Sequence, residues 1–376
     1  MIPFNIPYVP EISKQYVLES LESVHQQGDG PFTKLASDKL STLVGGGHTL
    51  LTPSCTHALE MASMLANLGP GDEVILPSYT FTSAATAVVK FGATPVFVDI
   101  DKETKCIDVN HVRSAINSKT KAISWVNYAG AVPDINGLQT LANEFELLLI
   151  EDNAHGLGAS YNGKPLGSFG DFSAQSFHAT KNVQCGEGGA LIVNNPKFID
   201  RAEIIREKGT NRSKFLRGEV QKYQWVDQGS SYLMAESLAA LLLGQLENFD
   251  FIHKKRNEIF SLYSQELENW ARESKIEVHP SRVKEIHSAH MFYLVTDSKE
   301  LRDDLIKHFY LLGIQAMFHY QSLASSIQGV KYTLNNNYFP ITQKMSNQLL
   351  RLPIFVGLEV ESVKKIVDTA LGWSPR

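Results

Sequence analysis

The feature that most constrains this chain is a regular alternation. Short runs of β-branched and other apolar residues are each followed by a longer stretch with helical spacing. Glu73-Val74-Ile75-Leu76-Pro77 is one such run, and residues 94–99, 122–126 and 147–152 repeat the form. Runs of this length with little polar interruption suit strands buried on both faces, which is how parallel sheets are built. The intervening segments 82–91 and 135–145 carry helical spacing, and Gly92 stands where the first would stop. The alternation predicts an α/β fold with a doubly wound, mainly parallel sheet between helices. Such sheets place ligands outside the carboxyl ends of their strands, so residues at those ends are the ones to examine for chemistry.

The pattern changes after about residue 235. Residues 237–247 and 252–271 read as consecutive helices, 290–295 and 314–318 as strands, and 361–371 as a last helix. At 376 residues the chain is too long for one simple core. The expected division is a large domain over 1–245, whose N-terminal segment packs with the second unit, and a smaller α+β domain over 246–376. The asparagines at 335–337 form a short polar loop. A net charge of −5 gives no reason to expect nucleic acid or an anionic membrane as partner. Cys55, Cys106 and Cys185 form no CxxC pair, which fits a reducing cytoplasm. No apolar stretch approaches the roughly 20 residues that span a bilayer, and the start Met1-Ile2-Pro3-Phe4 lacks the pattern of a signal peptide.

Chemistry-bearing residues gather at the strand ends. Asp152 closes the run 147–152, where a carboxylate can pair with a protonated pyridine nitrogen; an acidic helix cap explains it equally well. His155 follows, either near a cofactor ring or packed in the core. Ser54-Cys55-Thr56 opens a helix, and hydroxyls with free amides at a helix start form an anion site, although ordinary caps look the same. Phe81 could stack on a flat ring or belong to the core. Ser176 and Lys181 come next, before the turn Gly186-Glu187-Gly188-Gly189. A lysine there can form a covalent bond with a carbonyl partner while hydroxyls and amides hold a phosphate. There is no Gly-x-Ser-x-Gly elbow, and His287 with His290 lacks a third metal ligand, so no metal is expected. Taken jointly and in this order, the set describes a site for pyridoxal 5'-phosphate.

These residues also carry a resemblance. Segments 51–62, 71–82 and 172–190, the run Arg201-Ala202-Glu203-Ile204-Ile205-Arg206-Glu207-Lys208-Gly209-Thr210-Asn211-Arg212, and segments 229–234 and 289–293 resemble the DegT-type sugar-nucleotide aminotransferases. The resemblance runs nearly end to end. It implies the aspartate-aminotransferase fold (fold type I), with a mainly parallel seven-stranded sheet and a smaller α+β domain. It further implies Lys181 as the cofactor-bearing lysine, Asp152 as partner of the pyridine nitrogen, Phe81 stacked on the ring, and His155 near its phenolic oxygen. Cys55, Thr56 and Ser176 would hold the phosphate, with Ser231 supplied by the second subunit of a homodimer. Tyr79, Asn182, Arg212, His319 and Tyr320 are the implied substrate-binding residues. Two segments depart from the family pattern. Val-His-Tyr-Ala-Gly reads Val126-Asn127-Tyr128-Ala129-Gly130, a histidine lost near the cofactor, and His-Tyr-x-Pro-Leu-His reads His319-Tyr320-Gln321-Ser322-Leu323-Ala324.

The implied reaction is amination of a dTDP-linked 4-keto-6-deoxyhexose by L-glutamate, giving dTDP-4-amino-4,6-dideoxygalactose for cell-surface polysaccharide. Amination at C3, or at C4 with the gluco outcome, keeps the same chemistry. A regulatory protein that binds the cofactor without turnover is the reading from another class, and the altered segment 321–324 is its support.

Overall fold

The computed structural model describes residues 1–280, 286–333 and 339–374; the asparagines at 335–337 lie outside them. The central sheet has seven strands: β1 (His48–Thr52), β2 (Glu73–Pro77), β3 (Thr94–Val98), β4 (Thr120–Val126), β5 (Leu148–Asp152), β8 (Phe172–Ser176) and β9 (Gly189–Val193). A small antiparallel hairpin of β6 (Ser160–Tyr161) and β7 (Lys164–Pro165) lies between β5 and β8 in the chain. The strand order is β1-β9-β8-β5-β4-β2-β3. Pairing is parallel from β3 through β2, β4 and β5 to β8, and β9 runs antiparallel to both of its neighbours. The fold is the mainly parallel, seven-stranded α/β architecture expected of fold type I. The runs at 73–77, 94–99, 122–126 and 147–152 are strands, and β1, β8 and β9 complete the seven.

The parallel strands are apolar because both faces are covered. On one face, Leu59, Ala62 and Leu65 of the helix Cys55–Leu65 pack with Val74, Leu76, Ala174 and Leu191. On the other, Leu138 and Leu141 of the helix Ile135–Phe145 pack with Ile75, Ile123 and Leu149. The helices Glu11–Glu22 and Pro31–Leu43 lie against the helix Glu236–Glu247. Gly92, at φ +83°, follows the helix Thr82–Val89 as its stop.

A second, antiparallel sheet is formed in the order β10 (Glu277–Val278), β11 (Phe292–Val295), β13 (Leu349–Leu352), β12 (Met317–Phe318). It shares an apolar cluster with the helices Phe249–Glu273, Lys299–Leu311 and Val360–Leu371. The N-terminal residues join this region. Ile2 donates its N–H to the Gly313 carbonyl at 2.7 Å and bridges to Ile314. No helix among the described residues is long and apolar enough to cross a membrane.

Candidate active site

The carboxyl ends of β5 and β8, two helix starts and the loop between β8 and β9 enclose a cavity of about 580 Å³. Lys181, Asp152, His155, Ser176, Cys55, Thr56, Phe81, His319 and Tyr320 line it together. The reversal from β8 into antiparallel β9 is what delivers the lysine. After Ser176 the chain turns back, with the Ala179 N–H donating to the Gly186 carbonyl at 2.9 Å and Gly186 at φ +81°. Lys181 stands in this turn, its own N–H donating to the His178 carbonyl at 2.8 Å.

Enclosure sets the protonation states. Burial pushes the Lys181 amine down to about 8, opposed by the Asp152 carboxyl and reinforced by Arg351. Near neutral pH a usable fraction therefore carries the free lone pair that a nucleophile or base needs. Asp152, the last residue of β5, accepts the Ala154 N–H at 3.1 Å and has the Cys55 Sγ 4.0 Å from the same oxygen. Burial raises its carboxyl above the usual range, while the Ala154 amide and Lys181 pull it back. Burial first, and then Asp152, push the Cys55 thiol well up, so it stays protonated and takes no nucleophilic part.

His155 is held neutral: burial, Lys181 and Arg351 all press its ring well below the ordinary histidine value. Its Nδ1 accepts the Ala129 N–H at 3.3 Å, which assigns the proton to Nε2, 3.3 Å from the Tyr320 hydroxyl. Ala129 stands at φ +55°, a strained conformation that aims its N–H at the histidine. On its other side the His155 ring stacks on His290, with centroids 4.3 Å apart.

The anion cradle is built from two helix starts. Ser54 caps the helix Cys55–Leu65, its Oγ accepting the His57 N–H at 3.2 Å. Thr56 Oγ1 lies 2.7 Å from the Oγ of Ser83, which belongs to the first turn of the helix Thr82–Val89. Both helix dipoles and their free amides thus converge beside Ser176. The Phe81 ring lines the same cavity and is 56% exposed. An anion cradle, a depressed amine, a buried carboxyl and a ring face in one cavity fit the phosphate, carbonyl, pyridine nitrogen and ring of pyridoxal 5'-phosphate.

Other expected residues stand elsewhere. Tyr79 is fully buried behind the cavity wall, its hydroxyl 3.4 Å from that of Tyr128, which lies 2.7 Å from His319 Nδ1. Asn182 stands behind His290: its Nδ2 donates to the Ser288 carbonyl at 2.6 Å and its Oδ1 lies 3.0 Å from His290 Nδ1. Arg212 begins a short helix, Arg212–Leu216, 3.8 Å from Glu207, and Ser231 bridges to Glu207; neither lines this chain's cavity. Asn127 faces away from it altogether. Fully buried, it accepts from Trp125 Nε1 at 3.0 Å and donates to Glu151 and Asn153 at 2.8 and 2.9 Å. The departure at Asn127 therefore alters a strand-end network and not the cavity wall, where Val126 stands. The altered segment 321–324 is docked: the Leu323 N–H donates to the Ser78 carbonyl at 2.8 Å, and Leu323 and Ala324 join the core.

Phe4, Asn5, Ser83, His290 and Arg351 line the cavity without having been expected there. A hydroxyl in the first turn after Phe81 is a readable sign for Ser83. Phe4 and Asn5 come from the N-terminus and Arg351 from the second sheet, where no local pattern marks them; His290 stands just before β11, within the segment 289–293.

The comparisons agree with this geometry. The sequence profile of the DegT/DnrJ/EryC1/StrS aminotransferase family matches residues 8–370. An uncharacterized protein of Methanocaldococcus jannaschii is 30% identical, over 97% of this chain and 98% of its own. A putative sugar aminotransferase of Streptococcus pneumoniae, solved in its PMP form, superposes with a TM-score of 0.90 at 27% identity, covering 98% of each chain. The Helicobacter pylori aminotransferase involved in pseudoaminic acid biosynthesis superposes with a TM-score of 0.88 at 25% identity, over 98% of this chain and 97% of its own. With its fold and its lysine-bearing cavity, the chain belongs to the DegT/DnrJ/EryC1/StrS aminotransferase family and is a pyridoxal-phosphate-dependent aminotransferase.

Proposed function

We propose that the protein transfers the amino group of L-glutamate to a nucleotide-linked 4-keto-6-deoxyhexose, dTDP-4-keto-6-deoxy-D-glucose, giving dTDP-4-amino-4,6-dideoxygalactose for cell-surface polysaccharide. The observation that carries the transamination is the depressed Lys181 amine sharing one cavity with buried Asp152 and the two-helix anion cradle. The sugar reading draws support from the structural relatives described as sugar aminotransferases. The choice of nucleotide and of the galacto product rests on the resemblance in segments 201–212 and 229–234.

When bound, pyridoxal phosphate supplies an electron sink for negative charge at the substrate carbon that bears the nitrogen. Asp152 would keep the pyridine nitrogen protonated. Lys181 would move a proton between that substrate carbon and the cofactor's aldehyde-derived carbon, as a desolvated amine can. Thr56, Ser83, Ser176 and the two helix starts would hold the phosphate, and Phe81 would cover the ring. Neutral His155, with its proton on Nε2, would donate a hydrogen bond to the ring oxygen without adding charge.

Ser231 and Arg212 lie outside the cavity of their own chain, and the segment between them exposes Leu216, Tyr223, Trp225 and Val226. We propose a homodimer in which this segment covers the partner's cavity, and a division into units near residue 245. The three free cysteines suit a cytoplasmic setting. Purified, cofactor-loaded protein should aminate a dTDP-4-keto-6-deoxyhexose in the presence of L-glutamate, and NMR of the product should show a C4 axial amine. Amination of no member of a panel of dTDP-keto-deoxyhexoses contradicts the sugar assignment. A C3 amine or the gluco epimer would correct its regiochemistry or its stereochemistry.

A further inference from the structure

The ring of His155 is fixed from two sides by backbone that an L-residue rarely adopts. Ala129, at φ +55°, gives its N–H to the ring edge, and Ala289, at φ +48°, delivers His290 to the ring face. The two imidazoles lie 19° from parallel with centroids 4.3 Å apart. The segments that carry them meet, because a Cβ at Gly130 would overlap the Ser288 side chain. Left-handed alanines are costly and persist only where the surroundings hold them.

What holds Ala289 is a clamp on three successive carbonyls. Asn182 Nδ2 donates to the Ser288 carbonyl at 2.6 Å, and Arg256 Nε and Nη2 donate to those of Ala289 and His290 at 3.0 and 2.7 Å. Arg256 belongs to the helix Phe249–Glu273, whereas Asn182 follows Lys181 in the turn that carries the lysine. The Asn182 amide therefore ties the lysine's own turn to the chain entering β11, and it does not line the cavity.

The same amide fixes a proton. A carbonyl only accepts, so the Ser288 bond assigns Nδ2 and leaves Oδ1 to face His290 Nδ1 at 3.0 Å. That oxygen accepts in turn, so His290 carries a proton on Nδ1. Burial, then His155 and Lys181, press the His290 ring well below the ordinary histidine value, which leaves it neutral with Nε2 bare. His290 thus holds the opposite tautomer from the His155 on which it stacks.

The aldehyde carbon and the phenolic oxygen of pyridoxal phosphate stand on adjacent ring atoms, so Lys181 and His155 must be kept in register. A lysine turn free to shift against His155 would meet one partner and miss the other. We infer that Asn182 is a positioning residue: through His290 it sets the His155 ring relative to Lys181, and it touches neither cofactor nor substrate. This rests on the reading of Lys181 and His155 as the partners of that carbon and that oxygen. It takes Asn182 out of the substrate-binding set.

The test uses Asn182→Ala, His290→Phe and the double variant. His290→Phe keeps a ring face for His155 but removes the Nδ1 proton. In cofactor-free wild type, nitrogen-15 NMR of labelled histidine should show His290 protonated on Nδ1, and Asn182→Ala should lose that signature. Cofactor-loaded Asn182→Ala should show a shifted absorbance maximum and a kcat lower by roughly 10- to 100-fold, with the KM for L-glutamate little changed. His290→Phe should do the same, and the double variant should lose no more than the worse single, since both changes break one link. Additive losses in the double variant, a wild-type proton on His290 Nε2, or a raised KM at an unmoved absorbance maximum overturns the inference. So does a loss of stability alone with spectrum and kcat unmoved. If Asn182→Ala does not fold, His290→Phe and the wild-type tautomer carry the test. Wild-type protein with the Nδ1 tautomer that never forms lysine-bound cofactor would sink the roles given to Lys181 and His155 while leaving the Asn182–His290 link standing.

Discussion

Gly189 touches the first turn of the helix that begins at Cys55: a Cβ at Gly189 would overlap the Cys55 amide nitrogen and the Ser54 carbonyl carbon. The contact is backbone against backbone, so no rotamer change relieves it. It places β9 close enough to the helix for Cys55, Thr56 and Ser176 to face one another across the cradle.

Gly189→Ala should therefore push the helix start away from β9. The expected cost is about 1–3 kcal/mol of stability together with a cofactor affinity at least tenfold weaker. Denaturant unfolding and a cofactor titration followed by absorbance measure the two effects. A variant with unchanged cofactor affinity would show that the cradle does not depend on this contact.

The pH dependence follows from Lys181. Its folded value, about 8, lies below that of an unfolded lysine, so the amine is freed as pH rises through about 8. The rate at which cofactor-free protein captures pyridoxal phosphate should climb across that window. Asp152 raises the lysine's value, so Asp152→Asn should move the midpoint to lower pH. A midpoint near 10 in the wild type, or a shift upward in the variant, would contradict the electrostatics.

Asn127→Ala separates the strand-end network from the cofactor site. It leaves Trp125 Nε1 without an acceptor and removes donors from Glu151 and Asn153. The expected loss is about 2 kcal/mol, seen in denaturant unfolding, with the cofactor absorbance maximum unmoved. A shifted maximum at unchanged stability would put residue 127 back at the cofactor.

His155 should keep its proton on Nε2 across the working pH range, because the Ala129 amide occupies Nδ1 and burial disfavours the charged ring. Nitrogen-15 NMR of labelled histidine distinguishes the tautomers. Tyr320→Phe removes the hydroxyl at 3.3 Å from Nε2 but should leave the tautomer in place.

The strands 73–77 and 147–152 were legible because burial on both faces makes them nearly pure apolar runs. Asp152, Ser176 and Lys181 were legible because a parallel sheet puts its chemistry at the carboxyl edge. The limits have equally physical causes. Val126 and Asn127 are neighbours at a strand end, yet alternation sends only the first to the cavity. Tyr79 is similarly turned into the wall behind Tyr320. Phe4 and Arg351 reach the cavity from opposite ends of the chain, brought there by the Ile2–Ile314 bridge and the second sheet. No spacing in the sequence records such a meeting.

The most direct measurement is the absorbance spectrum of cofactor-loaded wild type and Lys181→Ala, before and after L-glutamate. The wild type should show the band of lysine-bound cofactor and lose it on adding glutamate. Lys181→Ala should lack that band and convert glutamate roughly 100- to 10,000-fold more slowly. A wild-type band indifferent to glutamate, or a variant as fast as the wild type, would contradict the assignment of Lys181 as the residue that carries the reaction.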